Sequence, residues 1–466
     1  MTFEQIALPS VSDDEHATIN RLLKHLDEKA DRNLLRASYY DGKHAARQVG
    51  TIIPPQYYRT GTTLGWSAKA VDMLARRCNL DAFVWPEGDL ESLGFGEFED
   101  GNHLRSRIKS GFVSSLIHGV SFLVNTRGDA DAKEPESLLH VKDAMNATGD
   151  WNSRRGGMDN LLSITSRDDR GQPTSLALYL DGVTVIGDRR SGIWKVERSE
   201  HSYGVPVEAL VYKPSELNPF GASRISRPIM SIHNRALRAA IRMEAHMDVF
   251  SMPQLLLLGA SEDIFKNADG SQKASWQIAL GRVLGIPDDE DADNPRADIK
   301  HIAASSPEPH IAAFKQLAGE FSGEASIPLT SLGVSDMSNP TSADSYIASR
   351  EDLISEAEGA VDDWALPVRR AVSRGLAIQN GVSEVPAAWS KIAPKFRSPI
   401  YLSKAQQADA GAKQLGTVPW LAETEVGLEL LGLDEQQIKR AMAEKRRLSG
   451  RAVLNALRPP GAPVGE

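Results

Sequence analysis

The sequence predicts an α+β fold on three observations. Residues 225–250 carry one long helical stripe. Residues 161–214 are a series of short alternating runs. Helical periodicity returns from residue 309 and persists to about residue 457. Strands gathered in one stretch and helices in others read as segregated elements rather than as a repeated βαβ unit.

The stripe lies within GASRISRPIMSIHNRALRAAIRMEAHMDVF, Gly221 to Phe250. Apolar or small residues stand at Ile225, Ile229, Ile232, Ala236, Ala239, Met243, Met247 and Phe250. Steps of three and four draw them along one face of a helix. That helix is roughly 39 Å long at about 1.5 Å per residue. Ser223 is placed as its N-cap, and Pro228 falls in the first turn, where a missing N–H costs little. Met252-Pro253 ends it, because the residue before a proline is pushed out of the helical region. Arg227, Arg235, Arg238 and Arg242 lie off the stripe. Two readings stand open on these residues: the rod of one globular core, or one stave of an assembled tube.

From the N-terminus, Asp13 to Arg36 predicts a helix with Ile19, Leu22, Leu23 and Leu26 inside. It runs into Tyr39-Tyr40-Asp41-Gly42-Lys43, where Asp-Gly marks a turn. Residues 62–80 predict a second helix, with Trp66, Val71, Leu74 and Cys78 inward, and residues 102–118 a third. HGVSFLVN (118–125) is a short buried strand. LLSITSRD (161–168), SLALYLDG (175–182), VTVIGD (183–188), GIWKVERSE (192–200) and VPVEALVYKP (205–214) are further strands between turn residues. Residues 1–222 therefore read as one mixed domain.

After Pro253, QLLLLGA is a strand, and residues 261–300 are polar and loop-rich. They include the run Asp288-Asp289-Glu290-Asp291-Ala292-Asp293, which reads as a solvated loop. PHIAAFKQLAGEF (309–321) is helical. The Ser-, Gly- and Pro-rich stretch 326–345 is a long loop, and such loops tend to be functional or mobile. A capping signal at Thr341 to Asp344 opens a helix that runs to about Gln379. Ile347, Ile354, Ala357, Val361, Trp364, Val368 and Val372 form its inner face, and a kink is predicted just before Pro367. Three more helices follow at 402–416, 421–432 and 434–457.

The totals narrow the function classes. At 466 residues, roughly three domain-sized units are expected. The 41% apolar and 25% charged content is ordinary for a folded soluble protein. A formal net charge of -9 argues against a generic nucleic-acid coat, though not against a wall past which DNA slides. The single cysteine, Cys78, excludes an internal disulfide and reads as a small buried hydrophobe. MTFEQIALPS lacks a basic-then-apolar signal, and the apolar runs are too short for a bilayer, so an intracellular product is expected.

No catalytic constellation emerges. There is no G-x-x-x-x-G-K-[ST] phosphate loop, no H-E-x-x-H and no nucleophile elbow. His118, His233, His246, His301 and His310 stand singly. Asp362-Asp363 is an adjacent pair whose members do not share a helix face. No catalytic residue, metal site or cofactor is therefore expected.

Several short motifs, taken in their order, resemble the portal proteins of tailed bacteriophages. Tyr39-Tyr40-Asp41-Gly42-Lys43 is similar to that family's early YY-x-G turn. Trp66 with Val71-Asp72 is similar to its W-x-x-x-x-V-D helix, and Leu116 to Val124 to its G-x-S/A-F strand. Asn218 to Ile225 gives the closest likeness, a P-x-G-x-S-x-I run leading into the long helix. Pro253-Gln254 with Gly259, then Ser403-Lys404-Ala405 through Ala408-Asp409-Ala410 and Lys413, and Glu425 to Gly432 complete the series.

The resemblance implies a portal fold of siphophage type: a mixed α/β wing, a two-helix stem, a small α/β clip, a kinked long helix and a helical crown. It assigns 1–222 and 342–390 to the wing, 223–250 and 308–327 to the stem helices, and 251–307 to the clip. It assigns 328–341 to the tunnel loop and 391–466 to the crown and a flexible tail. It implies a tunnel-loop constriction at Ser335, Asp336, Met337, Ser338, Asn339 and Thr341. It also implies a channel or subunit interface at Arg227, Arg235, Arg238 and Arg242, and partner docking at Asp288, Asp289, Glu290, Asp291 and Asp293. The expected assembly is a closed ring of about twelve copies at the capsid vertex of the virion. Double-stranded DNA passes through it at packaging and ejection, independent of sequence. The implied partners are the large terminase, the major capsid and scaffolding proteins and a head-completion or adaptor protein, with no membrane. The alternatives are a helical scaffold or adaptor of the virion without a channel, and a DNA-processing enzyme of the packaging machinery.

Overall fold

A computed structural model describes residues 3–44, 61–250, 254–258, 266–267, 269–271, 283–286, 298–334, 350–401 and 403–456. The chain divides into two compact units, Met1–Cys78 with Trp85–Ala393, and Asn79–Val84 with Pro394–Glu466. The helices are α1 (Asp13–Tyr40), α2 (Trp66–Ala75), α3 (Phe95–Asn102), α4 (Leu104–His118), α5 (Arg227–Phe250), α6 (Glu308–Glu324), α7 (Glu351–Gln379), α8 (Lys404–Thr417), α9 (Glu425–Leu430) and α10 (Glu435–Ala456). Among the described residues, no helix is long and apolar enough to cross a membrane.

The core of the first unit is four layers deep. Strands β2 (Val120–Arg127), β3 (Ser137–Asp143) and β11 (Val207–Val211) form an antiparallel sheet with β2 in the middle. Strands β4 (Ala147–Thr148), β7 (Leu161–Arg167), β8 (Pro173–Leu180), β9 (Val183–Arg190) and β10 (Ile193–Glu200) form a second sheet, in the order β10-β9-β8-β7-β4, and β5 (Trp151–Asn152) pairs with β6 (Gly157–Met158) in a short hairpin between β4 and β7. Alternation along a strand sends successive side chains to opposite faces. Leu162, Ile164, Leu176, Leu178 and Val185 of the larger sheet pack on Ile19, Leu22, Leu23 and Leu26 of α1. From its other face, Leu161, Ala177 and Tyr179 meet Val120, Phe122, Val124, Val207, Ala209 and Val211 of the smaller sheet. The residues between these in β2 and β11 face α4 and α7. Ser121 Oγ donates to the Gly111 carbonyl at 2.7 Å, and Glu208 accepts from Arg374 at 2.5 Å. The stacked rings of Phe112 and Trp364, 4.3 Å between centroids, join the two helices of that outer layer.

Two departures from the sequence expectation have local causes. The helix expected over 102–118 is α4, and a break at His103, φ +48°, parts it from α3, a preceding helix with no counterpart in the sequence expectation. Asn102 is buried there, donating to the carbonyls of Phe98 and Ser137 and accepting from the Leu139 N–H. It thereby clips the edge of β3, a strand with little sequence signal. The segment Leu80–Val84 (β1), read as part of the first mixed domain, pairs with β15 (Ala393–Phe396) in the second unit. There the Arg397 N–H donates to the Asn79 carbonyl at 2.9 Å, and its guanidinium holds Asp81 at 2.6 Å. Helix α7 runs without a break through Pro367, and its start before Glu351 lies outside the described residues.

Three histidines in the first unit, His118 and His233 buried and His140 half-buried, are held neutral. Burial pushes His118, His140 and His233 each down to about 4. The His233 Nδ1 is 2.8 Å from the Ser67 hydroxyl, and the His140 Nε2 is 3.2 Å from that of Thr126. These values lie below the ordinary 6.5, so between about 4 and 6.5 the unfolded chain binds more protons than the folded one. Stability is then complete above about pH 6.5 and is lost as pH falls toward 4. Thermal melts across that window are expected to show a falling midpoint, and His140→Gln with His233→Gln to flatten the fall. A midpoint constant over the window contradicts this account.

Candidate functional site: a helix pair tied at both ends

Helices α5 and α6 pack as an antiparallel pair. Arg235 of α5 forms a two-pronged ion pair with Glu320 of α6, at 2.6 and 3.3 Å. Eleven residues further down α5, His246 lies 4.9 Å from the ring of His310, ten residues back along α6. At the far end the Ser305 N–H donates to the Phe250 carbonyl at 2.9 Å. Beyond that end lies a small sheet of β12 (Gln254–Leu258), β13 (Val283–Ile286) and β14 (Asp298–Ile302). Strand β12 is central, parallel to β13 and antiparallel to β14. Helix α6 runs unbroken through Gly319 and Gly323. Trp66 of α2 lies against its Phe314 and Phe321, 5.1 and 5.3 Å between ring centroids.

The near end is tied by one guanidinium. Arg224, 5% exposed at its side chain, donates from Nε to the Ala70 carbonyl at 2.6 Å and from Nη2 to the Ala325 carbonyl at 2.7 Å. Ala325 is the residue that closes α6. Nη1 reaches the Tyr212 hydroxyl at 3.1 Å and the Glu356 carboxylate of α7. That carboxylate also accepts hydrogen bonds from the Tyr212 hydroxyl and Lys213 Nζ. Burial alone pushes Glu356 up, but Arg224, Lys213 and Tyr212 together bring it below the usual range, so it stays charged. Arg224 thus connects α2, the end of β11, the exit of α6 and α7.

The chain reaches this point through a turn that only glycine fits. Gly221 has φ +67°, and a Cβ there lies 2.2 Å from the Tyr212 carbonyl oxygen. The N–H of Ala222 donates back to that carbonyl, and Ser223 Oγ donates to the Ile117 carbonyl at 2.6 Å. Ser223 is therefore not the N-cap. Ser226 takes that place, its hydroxyl accepting from the Ile229 N–H at 3.3 Å as its carbonyl accepts from Met230. The early motifs gather at the same end of the pair. Tyr40 donates to Asp72 at 2.9 Å, and Asn234 of α5 donates to the Tyr39 hydroxyl at 2.6 Å.

The buried stripe of α5 also departs from the expected one. Ile225, Ile229, Ile232 and Ala236 are buried, but below them burial shifts to Leu237, Ile241 and Ala245, with Leu64 packed on that group. Met247 and Phe250 are about half exposed, at 49% and 54%. Arg227, Arg235, Arg238 and Arg242 fall within roughly 80° of arc, at about 100° per residue. Arg227, Arg235 and Arg242 are exposed and Arg238 is half-buried. Ser335, Asp336, Met337, Ser338, Asn339 and Thr341 lie outside the described residues, as do Asp288, Asp289, Glu290, Asp291 and Asp293. Among the described residues, no three His, Cys, Asp or Glu side chains group so as to hold a metal. Cys78 is buried against the Ala357 carbonyl, and burial pushes its thiol up to about 12, out of reach of nucleophilic chemistry.

Removing one member of a buried ion pair leaves the other uncompensated and costs about 3–5 kcal/mol. Glu356→Gln is expected to fall in that range, and Arg224→Met to exceed it, because two carbonyls lose their donor as well. The double variant Arg224→Met/Glu356→Leu is expected to cost less than the sum of its singles. Urea unfolding measures all three, and a single variant within about 1 kcal/mol of the parent contradicts the assignment.

Comparison with known proteins adds what geometry alone does not. The chain matches the family described as phage portal protein, SPP1 Gp6-like, over residues 19–450. The portal protein of Mycobacterium phage D29 is 21% identical over 421 residues, covering 89% of this chain and 84% of that protein. The portal protein of Mycobacterium phage L5 is 21% identical over 426 residues, covering 88% and 84%. Similar solved structures include the neck of a native GTA particle computed with C12 symmetry, at 15% identity and a TM-score of 0.40, covering 87% of this chain and 99% of that one. The neck of an empty GTA particle computed with C6 symmetry is 15% identical with a TM-score of 0.42, covering 83% and 92%. With the family match running through both helices of the pair and nearly the whole sequence, the chain belongs to the phage portal protein, SPP1 Gp6-like family.

Proposed function

We propose that this chain is the ring-forming portal subunit at the capsid vertex of a virion, a structural part and not a catalyst. Many copies stand side by side, and their α5–α6 pairs wall a channel through which double-stranded DNA is packaged and ejected. One observation carries the reading within the molecule: the pair is tied at both ends, by Arg224 to the Ala325 carbonyl and by the Ser305 N–H to the Phe250 carbonyl. A pair held at both ends suits a rigid stave.

In this reading residues 223–250 and 308–327 are the stem, 251–307 the clip and 391–466 the crown. Residues 1–222 and 342–390 form the wing, with the kink near Pro367. The tunnel loop, 328–341, sets the constriction through Ser335, Asp336, Met337, Ser338, Asn339 and Thr341. Arg227, Arg235, Arg238 and Arg242 face the channel or the neighbouring subunit. Asp288, Asp289, Glu290, Asp291 and Asp293 face the terminase and the head-completion protein. The electrostatics favour passage over binding. Each cation that touches phosphate strengthens binding by releasing counterions. Glu320 already engages Arg235, and the net charge is -9.

Purified protein viewed end-on by electron microscopy is expected to form rings with a central opening, about twelve subunits around. Solid or filamentous assemblies, or a strict monomer over a range of salt and concentration, exclude this reading. Deleting residues 330–341 is expected to leave ring formation intact while reducing DNA packaging or retention. Packaging at the parental level removes the tunnel-loop assignment but not the ring.

A further inference from the structure

We propose that the first unit carries a binding site for a small phosphate-class oxyanion, in a cleft of about 180 Å³ beside α1. The inference does not depend on the portal reading. His25, Lys29, Arg32 and Arg36 all line this cleft, together with Asn33 and His118, and no described carboxylate does. The first four are spaced four, three and four residues apart, which puts them on one face of α1. Like charges so placed repel one another and cost stability unless an anion lies between them. Lys29 and Arg32 make no ion pair among the described residues. Arg36 uses one N–H on the His118 carbonyl at 3.0 Å. Glu28, exposed on the same helix, acts through space on His25 and Lys29 but does not line the cleft, and Asp150, which also acts on His25, is already held by both prongs of Arg21, at 2.8 and 2.6 Å.

A second observation is independent of charge. Asn33 is 2% exposed and His118 is 9% exposed, and Asn33 Oδ1 and His118 Nδ1 have no hydrogen-bond partner. The Asn33 amide is oriented by its other end, which donates to the Ala144 carbonyl at 2.9 Å, so the acceptor is the end left open. Buried polar atoms are almost always paired, and two unpaired atoms on residues that line one cleft point to a ligand. Asn33 Oδ1 asks for a donor, while the cations ask for acceptors. A phosphate group that retains one proton supplies both: its P–OH donates to Asn33 and its charged oxygens accept from Lys29, Arg32 and Arg36. Sulfate and the phosphodiesters of DNA carry no such proton at neutral pH, and a duplex is too wide for the cleft. The electrostatics agree, since burial and the neighbouring Arg32 push Arg36 down to about 10, as in a cluster lacking its counter-ion.

The test is calorimetric titration of the full chain with inorganic phosphate at constant ionic strength. Saturable binding of one phosphate per chain is expected, with sulfate several-fold weaker. Lys29→Gln/Arg32→Gln is expected to weaken phosphate about tenfold or more. Arg32 is exposed and Lys29 half-buried, and the substitutions remove two mutually repelling charges, so the phosphate-free melting midpoint is expected to hold or rise. Lys24→Gln, on the same helix but outside the cleft, is expected to leave the affinity unchanged. The proposal is overturned by absence of saturable heat, by equal affinity in the double variant, or by displacement of phosphate with a short DNA duplex. Rings that assemble normally but bind no phosphate refute this site and leave the portal reading standing.

Discussion

The buried contact between Arg224 and Glu356 is the constraint on which the first unit depends. A guanidinium 5% exposed at its side chain must be paired or it does not stay folded. Here its donors go to one carboxylate, one hydroxyl and two backbone carbonyls on four different segments. The planar fork of arginine makes this possible, because its N–H groups point in fixed, diverging directions. A lysine offers the charge without that geometry. The same residue lies just before α5, so the long helix emerges from a point fixed relative to α2, α6 and α7.

The mechanics of the helix pair follow from that anchor. Arg224 ties the exit of α6 to the approach of α5, and the Ser305–Phe250 bond ties the opposite end. Between them the Arg235–Glu320 bridge sits at the surface, where screening makes it worth little on its own. Its value lies in register and in quieting a positive charge on the arginine-bearing face. The wing behind the anchor is stiff for a different reason. Both faces of its sheets are packed around β2, β7 and β8, with α1 outside one sheet and α4 and α7 outside the other, while β10 at the edge is largely exposed. A sheet covered on both faces has no freedom to slip, since a one-residue shift exchanges its faces.

The regular parts were legible because local patterning and burial coincide there. Ile19, Leu22, Leu23 and Leu26 were read as one inner face and all are buried, as are Trp66, Val71, Leu74 and Cys78. The strands at 161–200 and 207–211 stand where alternation placed them. The lower half of α5 was not legible. It carries two apolar stripes, Ala239-Met243-Met247 and Leu237-Ile241-Ala245, and sequence periodicity weighs them alike. Packing against Leu64 decided for the second. Strand β1 was missed because Leu80–Val84 has only a distant partner, β15, more than three hundred residues along the chain.

By itself, then, the sequence determined the kind of element in most stretches, the length and amphipathic character of the long helix, and the family its ordered motifs resemble. These are properties of neighbours along the chain, where spacing and turn chemistry act directly. Only the tertiary structure decided what Arg224 does, which serine caps α5, and that four basic residues of α1 share a cleft with Asn33 and His118, each of which has an unpaired buried atom. The physical reason is common to all three. A polar side chain takes its role from the partners that burial brings to it, and those partners come from segments far apart in sequence, such as Ala70, Ala325 and Glu356.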